Sequence, residues 1–180
     1  MLQHDETVVT ATQNWSTSVG RTFQRFNSEE VVTLCDFSQK DVVLAAGDLK
    51  LKAVILKGGS CERRVTFQLA RYLNSGVSRG DGLVVVLSVT GSRHISCCMQ
   101  GGRALLELEE CSKQKLQNIS DHEDMDRFLF FKRTVGFSLN TFESLKHPGW
   151  FISTSDQDQD ESMEMCRVDD ARRLISFKMI

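Results

Sequence analysis

The side chains best able to do chemistry in this chain are six cysteines, Cys35, Cys61, Cys97, Cys98, Cys111 and Cys166, and four histidines, His4, His94, His122 and His147. Suitably spaced, such residues ligate zinc, exchange disulfides or activate a nucleophile. No C-x-x-C occurs, and the adjacent Cys97 and Cys98 would point to opposite faces of a strand, which disfavours a zinc site or a redox motif. An even count permits disulfides, but a core built from 180 residues does not need them. Buried free thiols acting as small hydrophobes are expected. The histidines are scattered and no G-x-S-x-G elbow is present. No set of acid, base and nucleophile can be assembled, so the expectation is a protein that is not an enzyme and that uses no metal and no cofactor.

Three shorter patterns carry little. Asp156-Gln157-Asp158-Gln159-Asp160-Glu161 starts like a calcium loop, but the sixth and twelfth positions hold Glu161 and Arg167 where a Gly and a carboxylate are needed, so it reads as a solvated acidic loop. Arg79-Gly80-Asp81 could present its charges to an integrin, or it could simply be a hairpin connection. Asn14-Trp15-Ser16 and Asn118-Ile119-Ser120 have the form of glycosylation sequons. The first twenty residues show neither a basic start nor an apolar stretch, so no secretory signal is legible and synthesis in the cytosol is expected.

The elements that must position these residues are short. Residues 1–28 are polar and without period and read as a flexible N-terminal extension or short propeptide, leaving 29–180 as the folded domain. From there apolar segments recur at 31–35, 42–45, 49–56, 65–70, 83–89, 94–99, 105–109, 127–132, 137–142, 150–154, 162–166 and 174–179. They are rich in Val, Ile, Phe and Leu and are separated by Gly, Ser, Asn or Asp, as strands are. A helical stripe competes over 103–119, but its first half fits a strand as well, with a turn near 113–118. The prediction is an all-β antiparallel domain, a closed barrel or a sandwich. With 22 basic and 24 acidic residues the net charge is −2, which gives no reason to expect nucleic acid or an anionic membrane as partner. The longest apolar run, Leu83-Val84-Val85-Val86-Leu87, is far too short to span a bilayer as a helix.

One stretch is distinctive: Phe142-Glu143-Ser144-Leu145-Lys146-His147-Pro148-Gly149-Trp150-Phe151-Ile152-Ser153-Thr154-Ser155. It resembles the interleukin-1 family signature, F-E-S followed after a few residues by P-x-W-[FY]-I-[SC]-T, with Phe142, Ser144, Pro148, Trp150, Ile152 and Thr154 at the marked positions. The likeness continues in 51–58 (LKAVILKG), in 94–98 followed by 104–109 (HISCC and ALLELE), in 127–130 (RFLF) and in 176–179 (SFKM). The resemblance implies a β-trefoil of about twelve strands in three pseudo-repeats, a number that the segments above reach independently. It also implies a monomeric, leaderless cytokine released unconventionally from the cytoplasm to act outside cells. Such a protein binds an immunoglobulin-domain receptor of the interleukin-1 type, with or without an accessory chain, and modulates inflammatory signalling as agonist or antagonist.

By this resemblance one receptor patch falls on Ser38, Gln39, Ile55 and Lys57, and a second on the loop from Asn74 through Arg79 to Asp81 and on Lys132. Trp150 is expected in the core. Leu34-Cys35-Asp36 matches a motif that places proteolytic activation near Arg25. The stretch Asp121-His122-Glu123-Asp124-Met125-Asp126 departs from a lysine-rich family pattern and would repel a receptor matched to it. Two other trefoil classes stay open at this point, a fibroblast-growth-factor-like protein and a Kunitz-type inhibitor. The first would want a basic heparin patch and the second disulfides.

Overall fold

The computed structural model describes residues 20–45, 47, 49–74, 82–90 and 92–180. The β-branched and aromatic runs form strands because such side chains pack well on a pleated, half-buried surface. The first are β1 (Thr22–Val32), β2 (Leu34–Asp36), β3 (Asp41–Ala45), β4 (Lys50–Val54) and β5 (Phe67–Asn74). Then come β6 (Leu83–Val89), β7 (Arg93–Gln100), β8 (Arg103–Glu110), β9 (Asn118–Ser120) and β10 (Phe130–Val135). The last are β11 (Leu139–Ser144), β12 (Trp150–Ser155), β13 (Met163–Arg167), β14 (Arg173–Leu174) and β15 (Phe177–Met179). No α-helix occurs among the described residues, only two 3-10 turns, Cys61–Arg63 and Met125–Phe128. The 103–119 segment resolves as strand β8 and a chain of turns, not as a helix.

The fifteen strands exceed the dozen segments for three reasons. The first segment is interrupted at Thr33, whose N–H and carbonyl both bond to Ile180, at 2.9 and 3.0 Å. The last segment divides into β14 and β15. The three-residue β9 has too few apolar residues to show a period. The main path through the sheet runs β4-β3-β2-β15-β11-β10-β6-β5-β1-β9, so the C-terminal strand lies inside it, between β2 and β11. The β7–β8 hairpin closes through Gly101 and Gly102 at φ +58° and +78°, the two left-handed positions of a two-residue type I′ turn.

Two apolar cores result. The larger gathers the inward residues of most strands, among them Phe67, Leu87, Ile95, Phe130, Phe142, Ile152 and Phe177, with the Phe142 and Phe177 rings 6.2 Å apart. The smaller packs Phe23, Tyr72, Leu116, Ile119, Phe128 and Leu145 beneath β1 and β9. Residues 22–28, expected in a flexible extension, belong to β1, which pairs with β5 and with β9. Phe23 is 1% exposed. Residues 1–19 of the expected extension lie outside the described residues.

All six cysteines are free, as their spacing suggests. Cys35, Cys97 and Cys166 are buried, whereas Cys61 is exposed and Cys98 and Cys111 are half-buried. Burial pushes the Cys35 and Cys97 thiols up to about 11, which keeps them protonated and inert.

His94 on β7 is fully buried, its ring edge-on to Phe128. Nδ1 is 2.6 Å from the Ser88 hydroxyl and Nε2 is 2.8 Å from the Cys111 carbonyl, so the neutral ring donates from Nε2 and accepts at Nδ1. Burial lowers its pKa below the ordinary 6.5, against the opposing pull of the Cys111 carbonyl. As pH falls through 6.5 the unfolded chain therefore takes up a proton that the folded chain refuses, and stability declines until the lower folded value is reached. Urea unfolding at pH 7.5 and 5.5 should show this loss, and His94→Gln should show less of it.

Candidate docking surface

The candidate residues come together only in part. Ser38 and Gln39 sit in the turn between β2 and β3, and Gln39 adopts a left-handed φ of 69°. Asp36 organises the turn. Its Oδ1 accepts hydrogen bonds from the Ser38 and Lys40 amides at 2.8 and 2.9 Å, and its Oδ2 accepts the Thr154 hydroxyl at 2.6 Å. Ser38 and Gln39 are therefore exposed side chains on a backbone that is held from beneath. The β3–β4 ladder ends on the pair Asp41 and Val54, which sets the exposed Ile55 beside Lys40 and this turn. Lys57 is exposed two residues further on. Ser38, Gln39 and Ile55 share one end of the β3–β4 ladder, from which the chain runs on to Lys57.

Sequence reasoning missed the residue that fixes this region. Lys40 is fully buried, and its ammonium donates to the carbonyls of Ser155 at 3.1 Å, Asp160 at 2.8 Å and Gln157. The acidic loop 156–161 is exposed, as expected, yet it and the end of β12 are fastened to the Ser38–Gln39 turn through this one side chain. No local pattern marks such a lysine, because its acceptors lie more than a hundred residues away.

The second patch is separate. Lys132 is half-buried on β10 and pairs with Phe142 on one side and Leu83 on the other. Asn74 ends β5, two strands away, opposite Phe23. Gly82 passes close to Lys132, since a Cβ there would come within 3.3 Å of the Lys132 carbonyl. Arg79 and Asp81 lie outside the described residues, and so does the Arg79-Gly80-Asp81 triplet. Strands β15 and β11 separate this patch from the first.

The signature residues are mostly internal. Phe142, Ser144, Ile152 and Thr154 are fully buried. Pro148 is exposed at the turn, where the Glu143 carboxylate accepts the Gly149 amide at 2.7 Å and also pairs with Arg133. Trp150 is half-buried, packed on the larger core with the Arg167 guanidinium 4.8 Å above its ring. The 121–126 stretch is less negative than its composition suggests. Asp121 pairs with Arg21, Asp124 with Arg127 and Lys146, and Asp126 is buried within 3.8 Å of the Lys146 ammonium. Burial raises the Asp126 pKa, with Asp121 adding to the effect.

Residues 56–179 match the family described as Interleukin-1 / 18. Interleukin-1 beta of Homo sapiens is 32% identical over 124 residues, which is 68% of this chain and 44% of that protein. Interleukin-1 beta of Trichosurus vulpecula is 28% identical over 135 residues, 75% of this chain and 47% of that one. The chain thus spans a little under half the length of these curated relatives. The crystal structure of chicken interleukin 1 beta superposes with a TM-score of 0.72 at 28% identity, covering 87% of this chain and 98% of that one. The structure of interleukin-36alpha shares the fold, with a TM-score of 0.56 at 21% identity.

Proposed function

The chain belongs to the interleukin-1 family of cytokines and folds as a β-trefoil, and from that membership we propose that it acts outside the cell by docking, as a monomer, on an interleukin-1-type immunoglobulin-domain receptor. Its task there is to modulate inflammatory signalling, as agonist or antagonist, after release from the cytoplasm by an unconventional route. The membership sets aside the growth-factor and Kunitz alternatives. The observation that carries the proposal is the Ser38–Gln39 turn, whose exposed side chains stand beside Ile55 and Lys57 on a frame held by Asp36 and Lys40. A pre-ordered turn loses little entropy on docking, which favours affinity per unit of surface. The proposed surface takes in the adjoining loop 155–161, because Lys40 makes one body of the two.

The second patch, Lys132 with Asn74, Arg79 and Asp81, is proposed as a separate contact. Two patches separated by intervening strands suit a receptor with more than one immunoglobulin domain.

The test is binding of the full chain to immobilised interleukin-1-type receptor ectodomains, followed by a signalling reporter. Ile55→Asp places a charge on an exposed apolar contact and should weaken binding at least tenfold while leaving the unfolding midpoint unchanged. Lys132→Ala, together with Arg79→Ala and Asp81→Ala, should have smaller effects of the same sign. Affinity unmoved by Ile55→Asp and Gln39→Ala together would remove the first patch from the interface.

A further inference from the structure

Three hairpins, β3–β4, β7–β8 and β12–β13, each bring one strand, β4, β8 and β13, to a common meeting place beside the larger core. A cavity of about 300 Å³ opens there. Its apolar lining is Leu49, Leu51, Leu106, Leu108 and Met163, and its two polar members are Lys50 and Glu107. Leu51 and Met163 are buried, and Leu106 and Leu108 are half-buried against the core, so the floor is fixed. Leu49 is different. It is 51% exposed, and its backbone holds a left-handed φ of 53°, which a leucine rarely adopts. Non-glycine residues held in this region gather at sites that clamp ligands. The cavity lies at the Leu49–Leu51 end of the β3–β4 ladder, whereas Ile55 and the Ser38–Gln39 turn stand at the other end. It is therefore separate from the proposed docking surface.

The charges at the mouth narrow the choice of ligand. Lys50 and Lys52 lie on one face of β4, and among the described residues neither ammonium pairs with a carboxylate. Glu107 does not offset them, because its carboxylate is 3.8 Å from the Cys98 Sγ, on the face of β8 opposite Leu106 and Leu108. Arg103 of β8 and Glu164 of β13 neutralise each other at 3.1 Å. An apolar cavity with a cation at its mouth fits a molecule made of a hydrocarbon body and one carboxylate. An apolar cavity of about 150 Å³ holds a benzene, so this one takes roughly twice that bulk, a chain of about ten to twelve carbons. We propose that the cavity binds a free medium-chain fatty acid, its chain lying on Leu51, Leu106, Leu108 and Met163 beneath Leu49 and its carboxylate at Lys50. Covering Leu49 removes apolar surface from water, and each methylene enclosed raises affinity about fourfold.

The test is calorimetric titration of the full chain at neutral pH with octanoate, decanoate, dodecanoate and tetradecanoate, each below its micellar concentration. Affinity should rise about fourfold per added methylene, reach the micromolar range at dodecanoate, and gain nothing further at tetradecanoate. Decanol keeps the chain and drops the charge, and it should bind about fivefold more weakly than decanoate. Lys50→Gln and Leu49→Ser alter exposed positions, leave the circular dichroism spectrum unchanged, and should each weaken decanoate about fivefold. Ile55→Asp, in the docking patch, should leave fatty-acid binding untouched, so this site and the receptor contact can fail separately. Equal affinity for decanol and decanoate, a flat chain-length series, or affinity unmoved by Leu49→Ser would each overturn the proposal. Binding to anionic phospholipid vesicles in place of the free acid would assign the cavity to a membrane, and dimerisation lost with Leu49→Ser would assign it to a second copy; either result also overturns it.

Discussion

Replacing Lys40 by alanine should lower the unfolding free energy by about 3–5 kcal/mol. The side chain is fully buried and its ammonium satisfies three backbone carbonyls, one at the end of β12 and two in the loop after it. A hydrogen bond to a charged group contributes about 1.5–3 kcal/mol, and acceptors left buried without a partner cost more than the bond's net value. Asp36, equally buried in the same turn, is bonded by the Lys40 backbone amide and keeps that bond in the variant, so the loss reports on the side chain alone. Lys40→Met keeps the methylene stem and removes only the charge. It should recover part of the loss, which separates packing from hydrogen bonding. Urea denaturation at neutral pH measures both. A loss below about 1 kcal/mol for Lys40→Ala would mean that water replaces the ammonium at no net cost.

Phe23→Ala should be as damaging, at about 3–5 kcal/mol, because Phe23 is 1% exposed in the smaller core and its removal leaves a cavity among Tyr72, Leu116 and Ile119. The same reasoning bears on the N-terminus. A chain starting at residue 20 should keep the thermal midpoint of the full protein. One starting at residue 26 loses Phe23, the pairing of Thr22 and Gln24 with β9, and the Arg25 amide bond to the Gln117 carbonyl, and it should unfold at a clearly lower temperature. Thermal unfolding of the two versions decides the matter, and equal midpoints would show that the smaller core closes without β1's first half. A processing site near Arg25, as the family motif suggests, would therefore cut within a paired strand.

The difference between what could and could not be read from the sequence follows from range. The signature was legible because its constraints are local: Glu143 closes the Gly149 turn six residues away, and alternate residues of β11 and β12 face one core. The first half of β1 was not legible because it buries a single phenylalanine before a bulge between Arg25 and Glu29 destroys the alternation. Lys40 reads as a surface residue in any window, and only the distant loop 155–160 makes its burial tolerable. The second patch was placed by resemblance alone. Its described residues come from β5 and β10, and no single segment shows that β6 alone lies between these two strands.

The C-terminal strand β15 occupies an interior place in the sheet, bonded to β2 on one side and β11 on the other. On a ribosome residues 177–179 emerge well after 34–36 and 139–144, so β2 and β11 stay unbridged until β15 follows them. Closure must then join segments nearly the whole chain apart, the slowest kind of contact for a polypeptide to find. Until that happens the open edges of β2 and β11 present unpaired backbone to other chains. A chain lacking β15 should accordingly depend on chaperones, and truncation just before residue 177 should yield an aggregating product rather than a slightly shortened one.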